Sequence, residues 1–272
     1  MAANLQKILP FEESGNFDSN NLIIFLHGYP DTSDLWKEIS NKVDKDAFIL
    51  NFSYPNYSEK YSKIFGFTQL EVTKRIKEIV DIYQKIKQRD ITIVAHDWGA
   101  ILAYMLDKNY PGYFKQMIAL DVAGWIDKSP KVMKAILSYQ FKLALAFIIG
   151  LILPFVGNFI TDHVVKGYFK YQPEHHKRIN YKWNYFYVYF LFNAIISIFS
   201  PKANYLYKYK PNIPVVFIYG EKKPFQFHSQ KWIEYLQNTK GCECYGVQSN
   251  HWIPQNEGDF VVATIKRRLQ AK

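Results

Sequence analysis

The sharpest chemical signal in this sequence is Ala95-His96-Asp97-Trp98-Gly99-Ala100, which directly follows the apolar run 91–95 (ITIVA) and directly precedes a helical pattern. A tight strand-to-helix turn flanked by small residues holds its central side chain above the edge of a sheet, which is where a nucleophile is useful. The central residue is Asp97, with Ala95 at the first small position. The bland alternative is an Asp that caps the helix beginning near Trp98. Three further features stand at the ends of other apolar runs. His27-Gly28-Tyr29-Pro30 follows the first run, and its glycine allows the chain to bend so that a backbone N–H points at the space above Asp97. Asp121 closes the run MIALD, where an Asp is also a common loop starter. His251 lies in Ser249-Asn250-His251-Trp252, between an apolar run and the last helical pattern. Each feature alone is weak, but their order along the chain agrees with one arrangement.

The elements that must position these residues follow from hydrophobic patterning. Segments 21–26, 47–52, 91–95, 117–120 and 215–219 are short apolar runs, as expected of strands buried on both faces of a parallel sheet, and 243–247 is a sixth strand. Segment 68–87 carries Leu70, Val72, Ile76, Ile79, Val80, Tyr83 and Ile86 near helical period, and 98–106, 231–238 and 260–270 also read as helices. Strands alternating with helices imply an α/β fold with a mostly parallel sheet and flanking helices. About ninety residues, 125–210, break the alternation; they are helical or irregular and strongly aromatic. Such an insertion forms a helical lid, or cap, at the carboxyl edge of the sheet, where open α/β sheets bind ligands. The expected division is therefore a core of 1–124 and 211–272 with a lid of 125–210.

With these residues in place, the chain resembles the α/β-hydrolases that use an Asp nucleophile, the epoxide hydrolases and the haloalkane or haloacetate dehalogenases, from Leu22 to about Leu269. The resemblance implies Asp97 as nucleophile and His251 as base, with the Tyr29 and Trp98 backbone N–H groups forming the oxyanion hole. Many members carry the acid that orients the base three residues beyond the Gly after the strand 215–219, but that position is Lys223. The subgroup with the acid after the preceding strand fits instead: Asp121 lies 24 residues beyond Asp97, with Glu221 a distant second choice. Lys222 and Lys223 are expected to be surface or loop-anchoring charges, and a role for His228 is a hypothesis only.

The same resemblance implies hydrolysis of epoxides of hydrophobic substrates to diols through an alkyl ester on Asp97, with no metal or organic cofactor. Lid tyrosines supply a neutral acid to the leaving oxygen in epoxide hydrolases. Tyr139, Tyr185 and Tyr187 suit that role by position, among others that include Tyr168 and Tyr171. A dehalogenase is the alternative within enzymes. Haloalkane dehalogenases generally have Asn where this chain has Tyr29, and haloacetate dehalogenases have Arg where it has Trp98, which weakens both variants. A catalytically silent relative that binds lipids is the alternative from another class.

Bulk composition constrains the rest. The 272 residues are 49% hydrophobic and 21% charged, enough for a substantial core, and carry a net charge of +10. No basic run accompanies a nucleic-acid-binding fold, so nucleic acid is not an expected partner. Cys242 and Cys244 are expected to be reduced thiols, and 1–17 has no apolar signal region, which together suggest a cytoplasmic protein. Segment 143–161 is uncharged for nineteen residues, close to bilayer-spanning length, but Gly150, Pro154, Gly157 and Asn158 interrupt it. A single crossing within the insertion would also strand the two halves of the sheet on opposite sides. A buried or surface-lying helix is expected, with peripheral membrane contact as an alternative. The flanking Lys128, Lys131, Lys134, Lys142 and Lys166 suit anionic headgroups, and would equally make a solvated face.

Overall fold

The computed structural model describes residues 5–57, 61–169 and 179–271, without the side chains of Tyr168 and Phe169. Seven strands form one sheet: β1 (Phe11–Gly15), β2 (Asn21–Leu26), β3 (Phe48–Phe52), β4 (Asp90–His96), β5 (Gln116–Leu120), β6 (Val215–Gly220) and β7 (Glu243–Val247). Their spatial order is β1-β3-β2-β4-β5-β6-β7. All neighbours pair in parallel except β1, which runs antiparallel to β3. The apolar runs form the strands because β-branched and large apolar side chains suit a surface covered on both faces. Every residue of β3 and β5 is buried. One core layer joins Ile23, Phe25, Ile49, Val94, Ile118 and Val216 from five strands with Trp36, Val261 and Ile265.

The helices are α1 (Lys37–Val43), α2 (Gln69–Ile86), α3 (Trp98–Asn109), α4 (Pro130–Gly150), α5 (Pro154–Val164), α6 (Tyr185–Phe199), α7 (Gln230–Gln237), α8 (Ile253–Asn256) and α9 (Gly258–Gln270). A reciprocal cap starts α2. The Thr68 N–H donates to Glu71 Oε2 at 2.8 Å, and the Glu71 N–H donates to Thr68 Oγ1 at 3.2 Å, satisfying two otherwise orphaned donors. Ten of the twelve residues of α3 are buried, including Asp107, whose Oδ2 accepts from the Tyr209 hydroxyl and the Asn212 N–H.

Two compact units result. The first contains the sheet and comprises Met1–Ser53, Thr73–Asp127 and Lys208–Lys272; the second comprises Tyr54–Val72 and Lys128–Tyr207. Sequence pattern places 54–72 in the core, whereas that segment packs with the helices of the insertion. The Tyr57 hydroxyl donates to the Trp183 carbonyl, Gln69 Nε2 donates to the Phe186 carbonyl, and the Tyr57 and Trp183 rings lie 4.6 Å apart. Within the same unit the uncharged stretch does not form one continuous helix. It turns at Leu151–Leu153, and Pro154 opens α5 at a position where its missing N–H costs nothing. The helices α4 and α5 pack together as a hairpin.

Candidate functional site

Sheet register alone brings the chemistry together. Leu26 on β2 pairs with Ala95 on β4, so Gly28 and Asp97 emerge side by side two residues later. His96 on β4 pairs with Leu120 on β5, so the next residues are Asp97 and Asp121. The strands β2 and β4 are neighbours whose chains continue to opposite sides of the sheet, the switch point where open α/β sheets place their ligands. Leu120 in turn pairs with Ile218, which brings the end of β6 next to Asp121.

Asp97 has φ 54° and ψ −119°, a backbone conformation that a non-glycine residue rarely holds. Its side chain makes no capping bond to α3, so capping does not explain the residue. The elbow is held by close packing instead. A Cβ on Gly99 would lie 2.1 Å from the Leu26 carbonyl oxygen, and a Cβ on Gly28 would lie 2.3 Å from Asp97 Cβ. No larger residue fits either position without displacing backbone or the Asp97 side chain.

The two oxygens of Asp97 have different surroundings. Oδ2 accepts the Tyr29 N–H at 2.9 Å, and the Trp98 N–H also donates to the carboxylate. Oδ1 faces His251 Nε2 at 3.7 Å, beyond hydrogen-bond distance. Burial raises the Asp97 pKa above the ordinary carboxylate value, and the nearby His251 and the two amides only partly offset it. His251 Nδ1 lies 2.6 Å from Asp121 Oδ2. A carboxylate oxygen accepts, so Nδ1 carries a proton, and Nε2 is the ring nitrogen directed toward Asp97. His251 is held from behind as well: His96 Nε2 donates to the His251 carbonyl at 2.8 Å, and the two rings lie 4.6 Å apart. His96 is fully buried, and desolvation, with His251 nearby, lowers its pKa to about 3, so it is a neutral anchor.

Asp121 is fully buried, with φ 70°. Its Oδ1 accepts the Gly220 N–H at 3.2 Å and pairs with the Lys223 ammonium. Burial works to raise the Asp121 pKa, but Lys223 and His251 outweigh it and hold the carboxyl well below the usual range. Of the two expectations for Lys223, a surface charge or a loop anchor, the structure supports the second. Its side chain is only 4% exposed, and it lies three residues beyond Gly220. The signal was present in the spacing from Gly220, but a lysine there read only as a missing carboxylate. Lys222 shows no such pairing, and Glu221 accepts from Gln248 Nε2 rather than from His251. His228 packs against Tyr219 with the rings tilted and their centroids 4.4 Å apart, and burial and Lys223 lower its pKa to about 4.

The tyrosine candidates belong to the second unit. Tyr139 and Tyr187 are buried with their rings edge to face at 6.1 Å. Tyr185 is buried against Gly66, Tyr57 and Phe186, and its hydroxyl has no hydrogen-bond partner among the described residues. Tyr171 and the Tyr168 side chain lie outside the described residues. Cys242 and Cys244 are free thiols, and burial raises the pKa of both. Among the described residues no three His, Cys, Asp or Glu side chains converge as metal ligands.

This sheet, with a strained elbow after β4 and a hydrogen-bonded acid and histidine at the ends of later segments, defines a hydrolase-type scaffold. The model of the alpha/beta hydrolase fold matches residues 21–241, and the chain belongs to that family. Among curated proteins it is similar to Epoxide hydrolase 1 of Caenorhabditis elegans, 25% identical over 121 residues, which cover 43% of this chain and 29% of that protein. It is also similar to the AB hydrolase superfamily protein YfhM of Bacillus subtilis, 25% identical over 42% of this chain and 38% of that one. The match thus spans about a third of the length of these relatives. Two solved structures share the fold across 95% of the chain. A candidate epoxide hydrolase from Pseudomonas aeruginosa has a TM-score of 0.67 at 17% identity, with 90% of its chain covered. The haloalkane dehalogenase DbeA-M1 loop variant from Bradyrhizobium elkanii has a TM-score of 0.68 at 14% identity, with 92% covered.

Proposed function

We propose that this protein hydrolyses epoxides of hydrophobic substrates to diols through a covalent alkyl ester on Asp97. The observation that carries the reading is the asymmetry of the Asp97 carboxylate, with Oδ2 held by the Tyr29 amide and Oδ1 directed toward the histidine. In the first step Oδ1 attacks an epoxide carbon, the carbon–oxygen bond of the ring breaks, and the leaving alkoxide takes a proton from a neutral acid. Tyr139, Tyr185 and Tyr187 are the residues assigned to that donation. In the second step His251 Nε2 takes a proton from water, whose oxygen attacks Asp97 Cγ. The negative charge that develops on Oδ2 is stabilised by the Tyr29 and Trp98 amides, and each such donor contributes about 2.7 to 4 kcal/mol in comparable sites. The Cγ–Oδ1 bond then breaks, Oδ1 leaves with the diol, the imidazolium returns its proton to it, and the proton left on the new Asp97 carboxyl passes through solvent to the tyrosinate formed in the first step. Asp121 stabilises the imidazolium and fixes its tautomer.

A His251→Gln variant, in which the ester forms but cannot be hydrolysed, provides the test. Incubated with a panel of aryl and long-chain epoxides and haloalkanes, it is expected to gain the mass of the epoxide on the peptide containing Asp97. Adducts only from haloalkanes would replace epoxide opening by dehalogenation. No adduct from either class would overturn the nucleophile assignment and favour a silent relative.

A further inference from the structure

The second unit carries a surface that the proposed chemistry does not use. Of twenty exposed large apolar side chains among the described residues, fourteen lie within 137–199. On α4 they form one stripe, Leu137, Phe141, Leu145 and Ile148, recurring at three- and four-residue steps. The opposite side of α4, including Ile136, Tyr139, Leu143 and Phe147, is buried. After the turn, Phe155 and Phe159 on α5 are 72% and 73% exposed, and Ile152 at the tip is 81% exposed. Apolar patches of this extent are uncommon on a surface meant only for water.

Charge identifies the partner. Segment 128–207 contains ten lysines and arginines and two acids, a net +8 out of the chain's +10. No charged residue interrupts 143–161, while Lys131, Lys134 and Lys142 on α4 are exposed, and Lys134 falls on the apolar stripe itself, two helical turns before Phe141. Two copies meeting through this face would bring like charges together, which disfavours self-association. An anionic lipid surface accepts both the apolar stripe and the cations. A crossing helix does not fit. Although α4 is long and apolar enough, 44% of its most apolar window is buried within the protein. The insertion also leaves from β5 and returns to the adjacent β6, so one crossing would pull a pair of hydrogen-bonded strands away from each other.

We infer that the α4–α5 hairpin docks in the plane of an anionic bilayer, with its apolar stripe at the headgroup boundary and its lysines on lipid phosphates. From Lys134 to Ile148 the stripe runs about 21 Å along the helix, which favours a helix lying in the surface over a tip dipping into it.

The experiment is co-sedimentation of the full chain with vesicles of phosphatidylcholine alone or with about one-third phosphatidylglycerol. The expected result is pelleting with the anionic vesicles only. Half-binding should require at least ten-fold more lipid in about 0.5 M salt, where exposed charges are largely screened. A Phe155→Asp/Phe159→Asp variant with an unchanged circular dichroism spectrum should show a loss of the same size. An Ile152→Trp variant supplies a gain of signal, a blue shift of tryptophan emission on anionic vesicles. Failure of the wild-type chain to pellet, equal binding by the Asp variant, or a concentration-dependent dimer that the Asp substitutions abolish would each overturn the inference.

Discussion

Replacing Lys223 by Met keeps much of its volume and removes its charge from a buried carboxylate that it shares with His251. The ammonium and the imidazole contact different oxygens of Asp121, so they stand no more than about 7 Å apart. At an effective dielectric of about 20, opposite charges about 4 Å apart attract by about 4 kcal/mol. Among the charges that oppose the burial of Asp121, Lys223 acts most strongly, so its removal lets the Asp121 pKa rise toward and above the ordinary carboxylate range. A carboxyl depressed in the folded state adds stability that is lost on acidification, so in Lys223→Met the pH at which stability begins to fall, followed by denaturant unfolding, should move up by about 1 to 2 units. Stability should fall by about 3 kcal/mol, the lower end for breaking a buried pair, because Asp121 keeps the Gly220 N–H and His251 as partners. A variant whose loss of stability is the same at every pH would refute the argument and leave Lys223 a packing residue.

Asp97→Asn should form no ester by mass spectrometry. It should also melt at the same or a higher temperature, because it removes a buried charge that the fold disfavours and still offers an acceptor to the Tyr29 and Trp98 amides. Gly99→Ala should lose stability at or above the upper end of the roughly 1–3 kcal/mol cost of overpacking, since its Cβ meets immovable backbone; denaturant unfolding measures this. Gly28→Ala should instead displace Asp97 and slow alkylation at least ten-fold in a single-turnover assay. Acid unfolding should be governed partly by Asp121 and by Glu243. Hydrogen bonding to Arg267, aided by Tyr245 and Arg268, lowers the Glu243 pKa to about 2 despite partial burial. Both carboxyls are depressed in the folded state, so their stabilisation is present above about pH 4 and lost as pH falls toward 2. Glu243→Gln should flatten the dependence of melting temperature on pH in that window.

Much of this architecture can be read from sequence because strands of a parallel sheet, covered on both faces, appear as unbroken apolar runs. The six strand-like runs correspond to β2 through β7, with ends shifted by a residue at most. β1 escaped notice because only Phe11 of its five residues is buried, so it carries no pattern. The membership of 54–72 in the helical unit has no compositional signature; it rests on contacts such as Tyr57 with Trp183 that join positions 126 residues apart. Asp97, Asp121 and His251 could be nominated because each ends or follows an apolar run. Lys223 and His96 could not be given roles, because the environment of a side chain rather than its type decides whether a lysine is solvated or buried against an acid. Their partners come from other strands and loops.

The register of the sheet has one more consequence. Each residue along a strand advances about 3.3 Å, so β5 sliding by one position against β4 would carry Asp121 farther than its hydrogen bond to His251 tolerates and turn its side chain to the other face. The longer segment of the second unit, Lys128–Tyr207, enters the chain after Asp121 and leaves it before β6, outside the pairs that set this register. The connection can therefore lengthen, shorten or change its surface chemistry while the sheet keeps Asp97 and Asp121 in alignment. Two demands on the chain are thereby uncoupled: strand pairing fixes these side chains, and the inserted segment is free to vary beside them.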